Sequence, residues 1–441
     1  MTDTSHDSAN GKYLVGGMLL VSLIIGGGTE AGLLTDYILQ VISFVACGIV
    51  LSRYGHRDHR VFGLFLLACL LLLCVQVTPL PFGLVQSLRP EWLQQVIGSG
   101  LPDVRFGFIS LDVARTIEVA LFFLACAAVF LATLKLSSKH LVGLVPIFFI
   151  GVTCNGIAAA LQYSLSRDVR VEGLLSYPLN AGLFANQNHF SALLYVSIPF
   201  IVFRAVFGNY LKSSVLLLAL NLIILLAAGS RAGVAIGLAI SLLSVAILVT
   251  RSRGGLLSVF LVTSIMFVYS LGAWTKIDLG QLDPEFGRTE IARTTTRAIE
   301  ENWAIGTGFG TFPKAYQMYE REEMIFRSYV NHAHNDYLEL VMEGGVAAAL
   351  LLLIYLSLVI WKVVNLARLR PLQKAAALAI VFLLVHSLVD YPLRTMALAV
   401  VFAVLNAILF HRGFQEHKAV GEGTMTVEHN GRTIVVPVVP A

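Results

Sequence analysis

Residues 331–360 read NHAHNDYLELVMEGGVAAALLLLIYLSLVI. From Val346 to Ile360 only Tyr355 and Ser357 interrupt hydrocarbon. The half before it holds two histidines, an Asn-Asp pair and two glutamates. An apolar run of roughly 17–25 residues is what a helix needs to cross about 30 Å of bilayer core. The stretch therefore reads as a spanning helix with its ionisable groups gathered at one mouth, and the same kind of run recurs along the chain.

The composition agrees. Of 441 residues, 57% are hydrophobic and 13% are charged, where a soluble chain carries about 25% charged residues. A net charge of +4 without a clustered basic face gives no reason to expect nucleic-acid binding. Twelve candidate spans emerge, at about 12–28, 32–51, 61–79, 114–133, 140–161, 188–207, 212–228, 232–250, 256–274, 339–361, 374–390 and 396–411. The first and seventh are short. No alternating strand pattern appears, so helices must satisfy the backbone polar groups. The expected fold is all-α and polytopic: one transmembrane domain over 1–411 and a short tail over 412–441 that either pairs into a small hairpin or stays loose.

The loops after even-numbered spans are basic: SRYGHRDHR (52–60), KLSSKH (135–140), RAVFGNYLK (204–212), RSR (251–253) and KVVNLARLRPLQK (362–374). The positive-inside rule places them, and both termini, in the cytoplasm. The N-terminus lacks the basic start of a cleavable signal peptide, so the first apolar run is expected to stay as a span. The longest outward loop, 275–338, contains ARTTTRAIEENW and PKAYQMYEREEMIF, both with helical patterning, around a GTGFG turn. That turn lacks the GxGxxG spacing, and no cofactor is expected. Cys47, Cys69, Cys74, Cys126 and Cys154 all lie in apolar runs and read as small buried hydrophobes.

The ionisable residues near the outward edge carry the chemistry. Arg231, between spans seven and eight, either snorkels to headgroups or lines an anion site. Arg288, Arg293 and Arg297 recur in FGRTEIARTTTRA, with 293 and 297 on one helix face. They form either a solvated face paired with Glu290, Glu300 and Glu301 or a guanidinium cluster suited to a phosphate or diphosphate. His334 stands just before the tenth span and is placed to take a proton near neutral pH. His332 reads as an interfacial bystander. If Asn335 starts the helix, Asn335 and Glu339 share a face, and Glu339 or Asp336 is expected to fix the His334 tautomer. Asn186, Asn188 and His189 open span six, and Asp390 and Arg394 occupy the turn between spans eleven and twelve, as helix caps or as parts of the site. His332-Ala-His334-Asn-Asp336 has the outline of an HxHxD metal motif, but that motif needs further ligands, and no metal is expected.

The ordered set GLFANQNHF, GSRAG, FGR, GTGFGTF, AHNDYLELVMEGG and HSLVDYPLR resembles the O-antigen ligase and O-antigen polymerase superfamily over about residues 12–411. Two departures stand out: there is no tryptophan shortly after Gly287-Arg288 and no proline before the glycine-rich turn. The resemblance implies a multi-pass bacterial inner-membrane protein with a periplasmic active site. It implies a metal-independent glycosyltransferase whose donor is a glycan on undecaprenyl diphosphate. The acceptor is then a lipid-linked repeat unit for a polymerase or lipid A-core for a ligase, and a polymerase is preferred. Carried over to this chain, Arg231 and Arg288 bind the diphosphate and His334 assists the acceptor hydroxyl. The rival readings are a solute transporter, which would place its polar groups near the membrane midplane, and a scaffold subunit, which would need neither the arginines nor His334.

Overall fold

A computed structural model describes residues 3–53, 60–90, 105–165, 175, 177, 179, 181–208, 210–249, 264, 283–322, 330–412, 424–429 and 432–437. The helices are α1 (Asp3–Ile25), α2 (Leu34–Arg53), α3 (Arg60–Val77), α4 (Phe82–Ser87), α5 (Val113–Lys135), α6 (Ser138–Val142), α7 (Leu144–Leu165) and α8 (Gln187–Phe207). They continue with α9 (Leu211–Ala227), α10 (Arg231–Leu248), α11 (Asp283–Asn302), α12 (Phe312–Tyr319), α13 (Asp336–Val364), α14 (Pro371–His386) and α15 (Met396–Phe410). Strands β1 (Leu80–Pro81) and β2 (Phe106–Gly107) form a minimal antiparallel pair, and β3 (Thr424–His429) and β4 (Arg432–Pro437) form a hairpin in the tail.

Among the described residues seven helical stretches are long and apolar enough to cross a membrane: α2, α3, α5, α6 with α7, α8, α10 and α13. Four more expected spans form apolar helices of 10–17 residues: the Asn10–Ile25 part of α1, α9, α14 and α15. The span expected at 256–274 lies outside the described residues, as does RSR (251–253). The helix expected from PKAYQMYEREEMIF ends at Tyr319.

Burial sorts these helices into core and rim. Every side chain from His189 to Val202 in α8 is buried, which marks a helix surrounded by others. In α3 only Leu73 and Gln76 are buried, while Val61, Leu64, Leu67 and Leu71 are exposed. Apolar side chains standing out along a helix flank suit lipid, where they carry no hydration cost. The cysteine expectation needs correction on this ground. Cys47 is buried, but Cys74 and Cys154 are exposed on such flanks, where a small apolar residue is equally at home.

The glycine-rich turn is built into the fold. Gly345 breaks α13 with φ 59° and ψ −155°, a conformation open to glycine because it lacks Cβ. The break takes the Met342 and Glu343 carbonyls out of the helical ladder. Thr307 N donates to Met342 O at 3.0 Å, and Gly308 N donates to Glu343 O at 2.9 Å. A Cβ on Gly306 would lie 2.3 Å from Glu343 O, so only glycine admits this approach. Gln76 clamps the join, donating to Glu343 O at 2.9 Å and accepting from Phe309 N at 3.0 Å. Buried Arg89 holds the turn from the other side through Gly306 O, Asn302 Oδ1 and Ile109 O. The long loop is thereby tied to the first turns of α13, where the quoted histidines stand.

Candidate functional site

The site grows from the turn after α14. Asp390 N donates back to His386 O at 3.0 Å, which leaves the Asp390 side chain 1% exposed inside the bundle. A buried carboxylate is costly unless it is surrounded by donors. Tyr391 N donates to Asp390 Oδ1 at 3.0 Å, and Asn188 Nδ2 donates to Oδ2. His334 Nδ1 donates to Oδ1 at 3.3 Å. The Arg288 guanidinium stands 3.8 Å from Oδ2, and His189 Nε2 lies 4.0 Å from Oδ1. Burial alone would raise the Asp390 pKa, but the His334 hydrogen bond and the surrounding histidines outweigh it and hold the group below the usual carboxylate range.

His334 reaches Asp390 because its backbone is left-handed, with φ 50°, the one non-glycine residue with positive φ among those described. Such a conformation costs about 1–3 kcal/mol and persists where its surroundings over-determine it. They do so here. Asn335 caps α13, accepting from Tyr337 N and Leu338 N at 3.0 and 3.1 Å. Its amide donates to Leu388 O at 2.9 Å, and Asp336 N donates to Ser387 O at 2.9 Å. Tyr337 OH donates to Leu384 O at 2.7 Å. The start of α13 is thus locked to the end of α14.

A second cluster lies beside the first. Arg394 stands 3.5 Å from Asp336, 3.5 Å from Glu339 and 3.2 Å from Glu343, carboxylates that share one face of α13. Glu339 accepts from His332 Nδ1 at 2.8 Å and from Ala333 N at 2.9 Å. Two expectations are corrected here. The carboxylate on His334 is Asp390; Glu339 holds His332, and Asp336 goes to Ser387 Oγ at 2.7 Å and to Arg394. The left-handed turn at His334 swings its ring off the α13 face, so helical spacing does not predict its partner. His332 is no interfacial bystander either, with a side chain only 17% exposed. Its Nε2 faces the Thr29 carbonyl at 3.3 Å, so both ring nitrogens meet acceptors. Burial pulls its pKa down, but Glu339 prevails and raises it above the ordinary 6.5.

Tyr391 separates the clusters, its ring centroid 4.2 Å from that of His332, 5.1 Å from His334 and 4.8 Å from His189. This residue was not singled out from the sequence, although it stands in the quoted HSLVDYPLR. Asn186 caps α8 by accepting from Asn188 N at 2.7 Å, and it also hydrogen-bonds Tyr391.

Arg231 opens α10, whose Ser230 cap accepts from Gly233 N at 3.0 Å. A Cβ on Gly233 would lie 2.5 Å from Ser191 Cβ, so the start of α10 packs on the start of α8, beside Asn188. Arg231 therefore shares the end of the bundle that holds Asp390. Arg293 and Arg297 are drawn elsewhere. Arg293 is 69% exposed with Glu290 3.8 Å away, the solvated-face reading, and Arg297 neighbours Tyr316. The three polar residues of the HxHxD outline diverge to Glu339, Asp390 and Ser387. Among the described residues no group of three or more His, Cys, Asp or Glu is arranged to hold a metal ion.

Residues 216–354 match the O-antigen ligase family. The matched segment holds Arg231, Arg288 and His334, and it ends before Asp390 and Arg394. No curated protein matches the chain. This is a multi-span helical membrane protein with an O-antigen-ligase-like region over part of its length.

Proposed function

We propose that the protein is a metal-independent membrane glycosyltransferase. It moves a glycan from undecaprenyl diphosphate to an acceptor sugar hydroxyl at the outward face of a bacterial inner membrane. One observation carries the reading. His334 uses Nδ1 on a buried carboxylate, leaving Nε2 without a partner among the described residues, while Arg288 stands at the same carboxylate. A histidine held in one tautomer by a buried aspartate, with its other nitrogen open, is arranged as a general base.

In the proposed step the acceptor oxygen attacks the anomeric carbon and gives its proton to His334 Nε2. The bond from that carbon to the diphosphate oxygen breaks, and undecaprenyl diphosphate leaves with the electron pair from the opposite face, inverting the centre. Arg288 and Arg231 stabilise the charge that develops on the leaving group. His334 then releases its proton to solvent or to the leaving group. Asp390 stabilises the imidazolium in between without taking the proton. The partial family match and the edge placement of these groups support an enzyme over a transporter.

The test is loss of the gene followed by analysis of undecaprenyl-linked glycans. Accumulated single repeats identify a polymerase, and accumulated long chains with bare lipid A-core identify a ligase. Normal glycans of both kinds overturn the proposal. Purified protein should also turn over in chelator, and a requirement for added zinc would overturn the metal-free step.

A further inference from the structure

A cavity of about 1040 Å³ runs alongside the Arg394 cluster, and its lining includes neither His334, Arg288 nor Asp390. Its walls come from α2, α3, α5, α13 and α15, from the mouth at Thr29 and His332 to Phe410 at the far end of α15. That length is about 22 Å, from the 1.5 Å rise of a helix with 15 residues. The deep part is hydrocarbon and aromatic, with Phe65, Leu72, Phe122, Leu352 and Phe402 among its walls. The mouth is acidic: Glu30, Asp36, Glu118, Asp336, Glu339 and Glu343 line it against Arg115, Arg394 and His332.

Most of these charges are already engaged. Arg394 is taken by its three carboxylates, and Arg115 pairs with Glu118 at 2.7 Å. Among the described residues the mouth sets six carboxylates against three cations that are already paired, which disfavours a further anion. What is left is capacity to accept and to pair with hydroxyls. Asp36 Oδ1 is buried with no hydrogen-bond partner, and the neighbouring polar Gln40 is 6% exposed. Both line the cavity. An ionised diphosphate has only acceptor oxygens, whereas a sugar hydroxyl donates and accepts.

We infer that this cavity is a second lipid site, for a glycolipid whose sugar joins its hydrocarbon chain without a phosphate, selected by Asp36, Gln40, Glu30 and Glu118. Two lipids would then enter by chemically opposite doors, the diphosphate beside Arg231 and Arg288, and the glycolipid at the acidic mouth. Calling this occupant the acceptor rests on the transferase reading above, and it favours a glycolipid acceptor over a diphosphate-linked repeat unit. The binding site itself does not depend on that reading.

The test uses the full chain in phosphatidylcholine nanodiscs with two diazirine-bearing probes, an alkyl glucoside and farnesyl diphosphate, and maps the adducts by peptide mass spectrometry. The expected result is glucoside labelling of the α3, α5 and α15 walls at about tenfold the level of the diphosphate probe, as charge complementarity sets partner choice. Replacing Glu30→Arg and Glu118→Arg together should erase that preference. Asp36→Asn should weaken glucoside labelling without admitting the diphosphate. Equal labelling by both probes in the unaltered protein would overturn the inference, and that outcome needs no variant to fold. Transfer measured on the same samples separates the two claims. Selective labelling without turnover sinks the transferase reading alone, and turnover with unselective labelling sinks this site alone.

Discussion

On one side of Tyr391, His332 is held between Glu339 and the Thr29 carbonyl, with both ring nitrogens occupied. On the other side, His334 gives one nitrogen to Asp390 and keeps the other open. The first cluster is closed: Arg394 and His332 answer Asp336, Glu339 and Glu343, and Glu343 also accepts from Phe312 N at 3.1 Å. The second has a strained backbone and a half-exposed arginine at its rim. Two histidines two residues apart thus take different work. A ring with both nitrogens engaged holds a helix in place, and a ring with one nitrogen free can move a proton.

The harshest way to break this contrast is at Arg394. Arg394→Ala leaves buried Glu339 and Glu343 and part-buried Asp336 short of their cation, and breaking a buried pair costs about 3–5 kcal/mol. Loss of monodisperse folded protein in detergent is expected, and a well-folded, active variant would show that the closed cluster does not hold the fold. Next comes the open cluster. His334→Ala and Asp390→Asn should each lower transfer by roughly 10²–10⁴-fold, the usual worth of a positioned base. His334→Ala should keep the wild-type melting temperature within a few degrees. His334→Gly, equally inactive, should melt no lower than His334→Ala, because glycine removes the left-handed strain. If His332→Ala instead abolished chemistry while His334→Ala did not, the assignment of roles would be reversed.

A milder test uses pH. The His332 pKa is raised above 6.5, so its stabilising contribution is full below 6.5 and fades as pH rises through the folded value. Melting temperature should fall over that interval in the wild type, and the slope should flatten in His332→Asn. A steeper slope in the variant would count against a charged His332. The smallest effect is expected at Arg293. Arg293→Ala should change stability by no more than about 0.5 kcal/mol, as exposed positions do, and leave donor turnover unchanged. A large loss of turnover would return this arginine to the anion site.

Much of the fold was legible because hydropathy is a local signal. Eleven of the twelve expected spans coincide with apolar helices, and the twelfth lies outside the described residues. Asn335 was readable as a helix start, since its side chain caps the amides of its own next turn. Partner choice was less legible. Helical spacing pointed Glu339 toward the quoted histidines but to the wrong one, because the backbone at His334 leaves the helical path. The glycine-rich stretch was readable as a turn, but its fit against the α13 break depends on contacts with Gln76 and Arg89, more than 200 residues away.

By itself the sequence determined that this chain spans a membrane as helices and gathers its ionisable groups at one edge. Burying unpaired backbone or charge in hydrocarbon is too costly for any other arrangement. Only the tertiary structure decided that Asp390 meets His334, that Glu339 meets His332, and that an acidic mouth opens beside them. Asp390 and His334 come from turns far apart in the chain, His332 folds back onto Glu339, and the energies of these pairings depend on distance, direction and burial, which residue order alone does not carry.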